Sequence, residues 1–189
     1  MSEISEPRAA LILGHGAGGG VSAPDLLAAR EAALQKRIGV ALVEQPYRVA
    51  GRRSPAPARQ LDAAWSAAVT GLLAGPFSGL DPIVGGRSAG ARVACRTAAS
   101  TGAIGVLCLA FPLRPPARAG KPRAASRLAE LEAVNVPTLV VQGKSDRFGI
   151  PPSGPDRRVI TVVGDHSLRS DRQAVTSAVE EWLQQLLTS

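Results

Sequence analysis

The chain has 189 residues, of which 45% are hydrophobic and 3% aromatic, and its net charge is +7. This length suits one domain, expected over residues 1–189, with enough apolar side chains for a packed core. The arginines that supply the charge are spread along the chain with almost no aromatic neighbours, so we expect no nucleic-acid partner. No stretch approaches the ~20 apolar residues of a membrane helix, and no signal-peptide core is visible, so we expect a soluble, cytoplasmic protein without a membrane partner.

Short apolar runs alternate with longer Ala/Leu-rich segments, which predicts a mostly parallel, doubly wound sheet between two helical layers, a three-layer α/β/α sandwich. The predicted strands are residues 9–13, 40–44, 81–85, 103–110, 138–142 and 159–163. The predicted helices are residues 23–37, 57–73, 89–99, 124–133 and 171–187. Residues 46–58 and 112–122, rich in proline and arginine, are predicted surface loops, and the second leaves room for a minimal lid only.

The first predicted strand is followed by His-Gly-Ala-Gly-Gly-Gly at residues 15–20. Such a loop lets the backbone approach a substrate and turn an N–H towards a developing oxyanion, and we assign that donor to Ala17. The same glycines also fit a G-x-G-x-x-G dinucleotide loop, for which Glu44 is the one candidate to bind a ribose. Nucleotide binding therefore remains an alternative.

The third predicted strand runs into Gly-Arg-Ser-Ala-Gly at residues 86–90, ahead of a helical segment. This is the G-x-S-x-G nucleophile elbow in a strand–turn–helix context, in which a strained turn presents the Ser88 hydroxyl above the sheet. The helix start places the Ala89 N–H beside the reacting carbonyl, as the second oxyanion donor with Ala17. The motif alone is weak, because glycine, serine and alanine are common in the loops of such a chain.

Two later strand ends carry an acid and a base. Asp146 follows the fifth predicted strand and His166 follows the sixth, which gives the order Ser, Asp, His along the chain. A histidine can remove the serine proton near neutral pH, and an aspartate fixes its tautomer. Asp165 is a rival for the acid, but a residue adjacent to the histidine rarely reaches its imidazole. His15 is expected to be structural.

Four arginines in predicted loops near the carboxyl edge of the sheet are candidates to bind a substrate carboxylate or phosphate. They are Arg52, Arg53, Arg87 and Arg114. Solvated loop charges are the simpler interpretation of each one. The cysteines Cys95 and Cys108 lack a metal-ligand spacing and are expected to be reduced core thiols, and we expect no metal and no organic cofactor.

With these motifs assembled, the chain resembles the α/β-hydrolase fold, and specifically the small KANL3/Tex30-like branch related to dienelactone hydrolases. The marks are residues 13–19, 45–55, 85–90, 110–116 and 142–146. The resemblance implies a shortened α/β-hydrolase fold that lacks the first antiparallel strands of larger relatives. Dienelactone hydrolases commonly use a cysteine nucleophile, and Ser88 departs from that towards esterase or thioesterase chemistry.

The leading hypothesis is a serine hydrolase that cleaves a small-molecule carboxylic ester or thioester through an acyl-enzyme on Ser88. With little lid, we expect an open site and weak selectivity among small esters. A non-catalytic interaction module of the same fold is the alternative, because a fold does not fix a function. Nucleotide binding by the glycine loop ranks third. We expect a monomer or a homodimer.

Overall fold

The computed structural model describes residues 7–52, 54–117, 119–120, 122 and 124–188. Its strands are β1 Ala10–Gly14, β2 Gly39–Val43, β3 Pro82–Arg87, β4 Gly105–Leu109, β5 Thr138–Gly143 and β6 Arg157–Val162. They form one six-stranded sheet in the order β2-β1-β3-β4-β5-β6, and every neighbouring pair is parallel. The predicted fold class, an α/β sandwich with a parallel sheet between two helical layers, is confirmed.

The helices are α1 Pro24–Gln35, α2 Pro46–Val49, α3 Ala58–Ala74, α4 Ala89–Thr97, α5 Leu128–Glu132 and α6 Arg172–Leu186. Helices α1 and α6 cover one face of the sheet, where Leu26, Val179 and Trp182 belong to one buried core. Helices α3, α4 and α5 cover the other, where Trp65 and Val93 belong to a second. Burial on both faces explains why the central strands are continuous apolar runs.

The strand ends decide where the site lies. Because all six strands are parallel, their carboxyl ends meet at one edge, and loops leaving neighbouring strands there face one another. The order reverses at β1, whose neighbours are β2 and β3. The loop after β1 therefore lies beside the turn after β3, and the loops after β5 and β6 lie further along the same edge.

Two sequence predictions need correction. Residues 46–58 were expected to be loop, but Pro46–Val49 forms α2, a single turn that starts with a proline in a favourable first position. The helix expected over residues 124–133 is only Leu128–Glu132. Before it, other hydrogen bonds hold the backbone outside a helix: the Arg127 N–H donates to the Leu113 carbonyl at 2.8 Å, and Ser126 Oγ accepts the Leu128 N–H at 3.2 Å.

Both cysteines are buried and unbridged on the second core face, with their sulfurs 3.5 Å apart. The hydrogen bond with Cys95 and complete burial raise the pKa of the Cys108 thiol well above its usual range. In the part of the chain that the structure describes, none of the helices has the length and apolar character needed to cross a membrane.

Candidate active site

The turn between β3 and α4 holds Ser88 in a conformation that few L-residues adopt, with φ 51° and ψ −108°. The turn is fixed from both sides: the Ser88 N–H donates to the Leu109 carbonyl at 2.9 Å, and the glycines at 86 and 90 pack on the Gly14 carbonyl. A Cβ at either glycine would collide with that carbonyl oxygen. The flanking glycines are therefore required by close approach of β1, and the strain at Ser88 lifts its hydroxyl above the sheet.

Three side chains from separate strand ends meet at this turn. His166 Nε2 lies 2.9 Å from Ser88 Oγ, and His166 Nδ1 lies 2.7 Å from Asp146 Oδ2. The Asp146 carboxylate is fully buried, while the imidazole is 18% exposed. Since a carboxylate can only accept, Nδ1 carries the proton and donates to Asp146, and Nε2 accepts from the Ser88 hydroxyl. This is the arrangement that lets a histidine remove a serine proton.

A third group at this carboxylate was not predicted from the sequence. The side-chain amide of Gln142, in β5, donates to Asp146 Oδ2 at 2.7 Å and to the carbonyls of Phe111 and Gly149 at 3.1 and 3.0 Å. Asp146 Oδ1 accepts the Phe148 N–H at 2.8 Å. Both carboxylate oxygens are thus fixed by buried donors, which holds the carboxylate towards His166.

Asp165, the rival acid, is used elsewhere. Its Oδ1 accepts the Ser167 N–H at 2.8 Å and the Ser167 hydroxyl at 2.6 Å. These hydrogen bonds from Ser167, the hydroxyl first, lower the pKa of the Asp165 carboxyl. The carboxylate closes the local turn that carries His166, and Asp146 is the one that bonds the imidazole.

The glycine-rich loop after β1 is anchored through His15. This imidazole is buried and bonds only backbone groups among its contacts in the described chain: Nδ1 lies 2.7 Å from the Gly16 carbonyl, and Nε2 accepts the Gln45 N–H at 2.9 Å. The Tyr47 hydroxyl donates to the Ala17 carbonyl at 3.3 Å. Together these contacts hold the Ala17 backbone beside Ser88 and Ala89, and all three line one cleft. The Ala89 N–H is a free helix-start donor by position.

Arg87, predicted as a substrate ligand, is engaged by protein groups. Its Nε lies 2.9 Å from Oδ2 of Asp25, a fully buried carboxylate in the first turn of α1, and its Nη2 donates to the His166 carbonyl at 3.0 Å. Burial raises the pKa of Asp25, and the charge of Arg87 opposes that rise. This pair ties α1, the serine turn and the histidine loop together, which is a positioning contact.

Two other arginines proposed from the sequence, Arg52 and Arg114, do not line the cleft at Ser88. Arg52 is exposed and its backbone N–H donates to the Tyr47 carbonyl. Arg114 lies with Arg147 in a neighbouring depression on the far side of Phe148. Arg53 lies outside the described residues. Substrate binding by these residues stays a prediction.

The cleft that opens at Ser88 has a volume of about 310 Å³. Apolar residues such as Leu61, Pro112 and Phe148 form part of its wall, and the Phe148 ring packs on the His166 imidazole with centroids 4.3 Å apart. Its other lining residues include three arginines that the sequence did not single out, namely Arg92, Arg96 and Arg127. Within the described chain, no group of three or more His, Cys, Asp or Glu side chains is arranged to hold a metal ion.

Comparison with known proteins places the chain in a family. The sequence profile of the alpha/beta hydrolase domain family matches residues 7–187. A search of curated protein sequences finds no match. Among solved structures, Est1E from Butyrivibrio proteoclasticus has a TM-score of 0.77 at 15% identity, over 97% of this chain and 90% of that one. Est1E has also been solved with ferulic acid bound.

Two further structures share the architecture. An α/β serine hydrolase without a lid, from Xanthomonas campestris, has a TM-score of 0.73 at 15% identity, over 100% of this chain and 87% of that one. An α/β serine hydrolase homologue from Coxiella burnetii has a TM-score of 0.71 at 13% identity, over 93% and 85%. At these identities the likeness shows the fold alone. Since the family profile extends over nearly the whole sequence, this chain belongs to the alpha/beta hydrolase domain family.

Proposed function

We propose that the protein is a serine hydrolase that cleaves a carboxylic ester or thioester through an acyl-enzyme on Ser88. The observation that carries this proposal is the continuous chain of contacts from Ser88 Oγ to His166 at 2.9 Å and from His166 to Asp146 at 2.7 Å. Ser88 itself stands in a strained turn, with a positive φ, that exposes its hydroxyl. A merely structural serine has no need of a positive φ or of a buried carboxylate behind its histidine partner.

The reaction follows from where the protons lie. His166 Nε2 takes the Ser88 proton as Oγ attacks the carbonyl carbon, and the N–H groups of Ala17 and Ala89 receive the oxyanion of the tetrahedral intermediate. Asp146 stabilises the imidazolium without taking its proton. When the intermediate collapses, His166 gives the proton to the leaving oxygen or sulfur. Water then attacks the acyl-enzyme with His166 again as base, which releases the acid and restores Ser88.

The test uses p-nitrophenyl butyrate and a butyryl thioester, together with a fluorophosphonate probe that reacts with activated serines. Wild type should hydrolyse both substrates and take up the probe. Ser88→Ala should lose the probe entirely and at least about 10⁴-fold in kcat, because the nucleophile is gone while the rest of the site remains. Ser153→Ala, an exposed serine away from the cleft, is the matched control.

A second fold-compatible function, a non-catalytic interaction module, predicts a different result. A folded wild type that neither reacts with the probe nor hydrolyses any ester, thioester, lactone or amide in a screen would favour the module and overturn the proposal. The family match favours hydrolysis over nucleotide binding by the glycine loop. Thermal stabilisation by NAD(P) or ATP would reverse that order.

Several further properties of the protein also remain predictions. Assignment to the KANL3/Tex30-like branch rests on the motifs quoted from the sequence. A cytoplasmic location, a monomeric or homodimeric state and independence from cofactors are likewise predictions. Specificity for an ester or thioester bond is also a prediction, as is weak selectivity among small esters, and the substrate screen tests both directly.

A further inference from the structure

Three guanidinium groups line the cleft that starts at Ser88, and two of them are paired with carboxylates. Arg92 pairs with Glu130 at 2.5 Å and Arg96 pairs with Asp62 at 2.6 Å, and Arg96 also reaches Glu130 at 3.4 Å. These two pairs satisfy both carboxylates. They join α4 to α3 and α5 and fix the two arginines in place along the cleft.

Arg127 is the third guanidinium, and neither of these two carboxylates forms an ion pair with it. Its Nη1 donates to the Pro112 carbonyl at 2.9 Å, and among residues that the structure describes no carboxylate forms an ion pair with it. Partial burial lowers the pKa of the Arg127 guanidinium, and so do the charges of Arg92 and Arg96, while the charge of Glu130 opposes the shift without forming an ion pair with Arg127. The cleft therefore contains one more positive charge than its own side chains neutralise.

The geometry relates this charge to the reacting atom. Ser88, Arg92 and Arg96 are spaced four residues apart along α4, so they follow one face of the helix. At the helical rise, Arg92 lies about 6 Å and Arg96 about 12 Å along the axis from Ser88. The leaving group must receive its proton from His166, so it lies on the histidine side of Ser88. The cleft along α4 is left for the acyl group.

We infer that the acyl part of the substrate ends in an anionic group, a carboxylate or a phosphate-like group, which binds Arg127 in this cleft. This inference rests on the proposed function. A guanidinium fork suits either anion because it can donate two parallel hydrogen bonds to a planar carboxylate or to phosphate oxygens. The apolar stretch formed by Leu61 and Pro112 suits the aliphatic chain that would join the anion to the ester.

The experiment compares p-nitrophenyl esters of matched length and different terminal charge. The set is 4-nitrophenyl hexanoate, mono-4-nitrophenyl adipate, 4-nitrophenyl 5-phosphonopentanoate and 4-nitrophenyl 6-aminohexanoate, with rates on Ser88→Ala subtracted as background. We expect kcat/KM for at least one anionic ester to exceed that for the neutral ester about tenfold or more, since a hydrogen bond to a charged group is worth that factor. The cationic ester should be the poorest, and whichever anion is better names the class.

Variants then assign the preference to Arg127. Arg127→Gln should lower the ratio of anionic to neutral kcat/KM about tenfold through a rise in KM, and Arg127→Lys should keep part of it. Arg172→Gln is the control, because it also removes one guanidinium but lies at the exposed start of α6, paired with Glu31. Raising the salt concentration should reduce the ratio in wild type, a measurement that needs no variant to fold.

The outcomes separate the two proposals. A wild type that hydrolyses all four esters with equal kcat/KM would overturn the anionic acyl group and leave the serine hydrolase standing. An anionic preference that Arg127→Gln does not reduce would also overturn it. If no ester is hydrolysed and no fluorophosphonate reacts, the hydrolase proposal fails. In that case adipate binding to wild type and Arg127→Gln, followed by calorimetry, decides the anion site by itself: no binding overturns it.

Discussion

The histidine side and the cleft side of Ser88 differ in whether their charged side chains are neutralised by partners. On the histidine side, the charged groups that hold the site are matched in pairs: Arg87 with Asp25, and His166 with Asp146, which in turn accepts from Gln142. On the cleft side, two of three guanidiniums pair with carboxylates, whereas Arg127 forms no ion pair among the described residues and donates to a backbone carbonyl. This contrast is the basis on which we propose that one side positions the reacting groups and the other binds the substrate. A closed network of charges holds geometry, whereas an unmatched charge in a cleft is free to bind something from outside.

On the histidine side, the largest expected effect on kcat comes from replacing Asp146, the proposed orienting acid. Asp146→Asn should lower kcat on p-nitrophenyl butyrate about 10³- to 10⁴-fold, because an amide no longer fixes the imidazole tautomer or stabilises the imidazolium. The matched control is Asp165→Asn, next to His166, which should change kcat by less than about threefold, because the amide oxygen can still accept both hydrogen bonds from Ser167 that close the turn. Equal losses in the two variants would show that the orienting acid has been assigned to the wrong carboxylate.

The next effect concerns the pair that joins α1 to the histidine loop. Arg87→Met should destabilise the fold by about 3 kcal/mol, since it leaves the buried Asp25 carboxylate without a cation. It should also lower kcat, because the His166 carbonyl loses its donor. Urea unfolding at pH 7 measures the first effect. The double variant with Asp25→Asn should recover most of the stability, and a double variant as unstable as Arg87→Met would argue against the ion pair as the cause.

The pH dependence of that variant has a definite sign. Burial raises the pKa of Asp25, and removal of Arg87 raises it further. A carboxyl whose pKa is raised by folding stabilises the fold while it is protonated, and that contribution is lost as the pH rises through the folded pKa. The gap in unfolding free energy between wild type and Arg87→Met should therefore narrow as the pH falls from neutral towards the ordinary carboxyl range, and a gap that widens would contradict this account.

The smallest effect is expected at Gln142. Gln142→Met should cost about 1–3 kcal/mol in unfolding free energy, because Phe111, Gly149 and Asp146 each lose a buried donor. It should lower kcat several-fold with KM unchanged, since Gln142 acts through Asp146 and does not line the cleft. Gln184→Met, exposed on α6, is the control. A change in KM alone would mean that Gln142 influences substrate binding and not the orientation of the acid.

The sequence was most informative where chemistry follows directly from a local pattern. All six strands were found within a few residues, because strands buried on both faces are unbroken apolar runs. Ser88, Asp146 and His166 were predicted to meet because each follows a strand and parallel strands end at one edge, and in the structure their side chains lie within hydrogen-bond distance. The turn of α2 was missed because four residues in a proline-rich loop carry no periodicity.

The missed residues depend on distant partners. Arg92 and Arg96 look like ordinary helix charges until α3 and α5 supply Asp62 and Glu130. Arg127 follows a proline-rich loop, and nothing near it in sequence reveals that it lines the cleft at Ser88. Gln142 carried a usable signal, a polar residue in an otherwise apolar strand, which a buried network would explain.

The most direct test of the central claim is to trap the acyl-enzyme. Wild type mixed with excess p-nitrophenyl butyrate, quenched in acid within milliseconds and digested with trypsin, should give the peptide of residues 88–92, whose one serine is Ser88, carrying one butyryl group. The proposed chemistry predicts that adduct and its absence in Ser88→Ala. Turnover of the ester with the butyryl group on any other residue, or a folded wild type that neither turns over the ester nor forms the adduct, would contradict it.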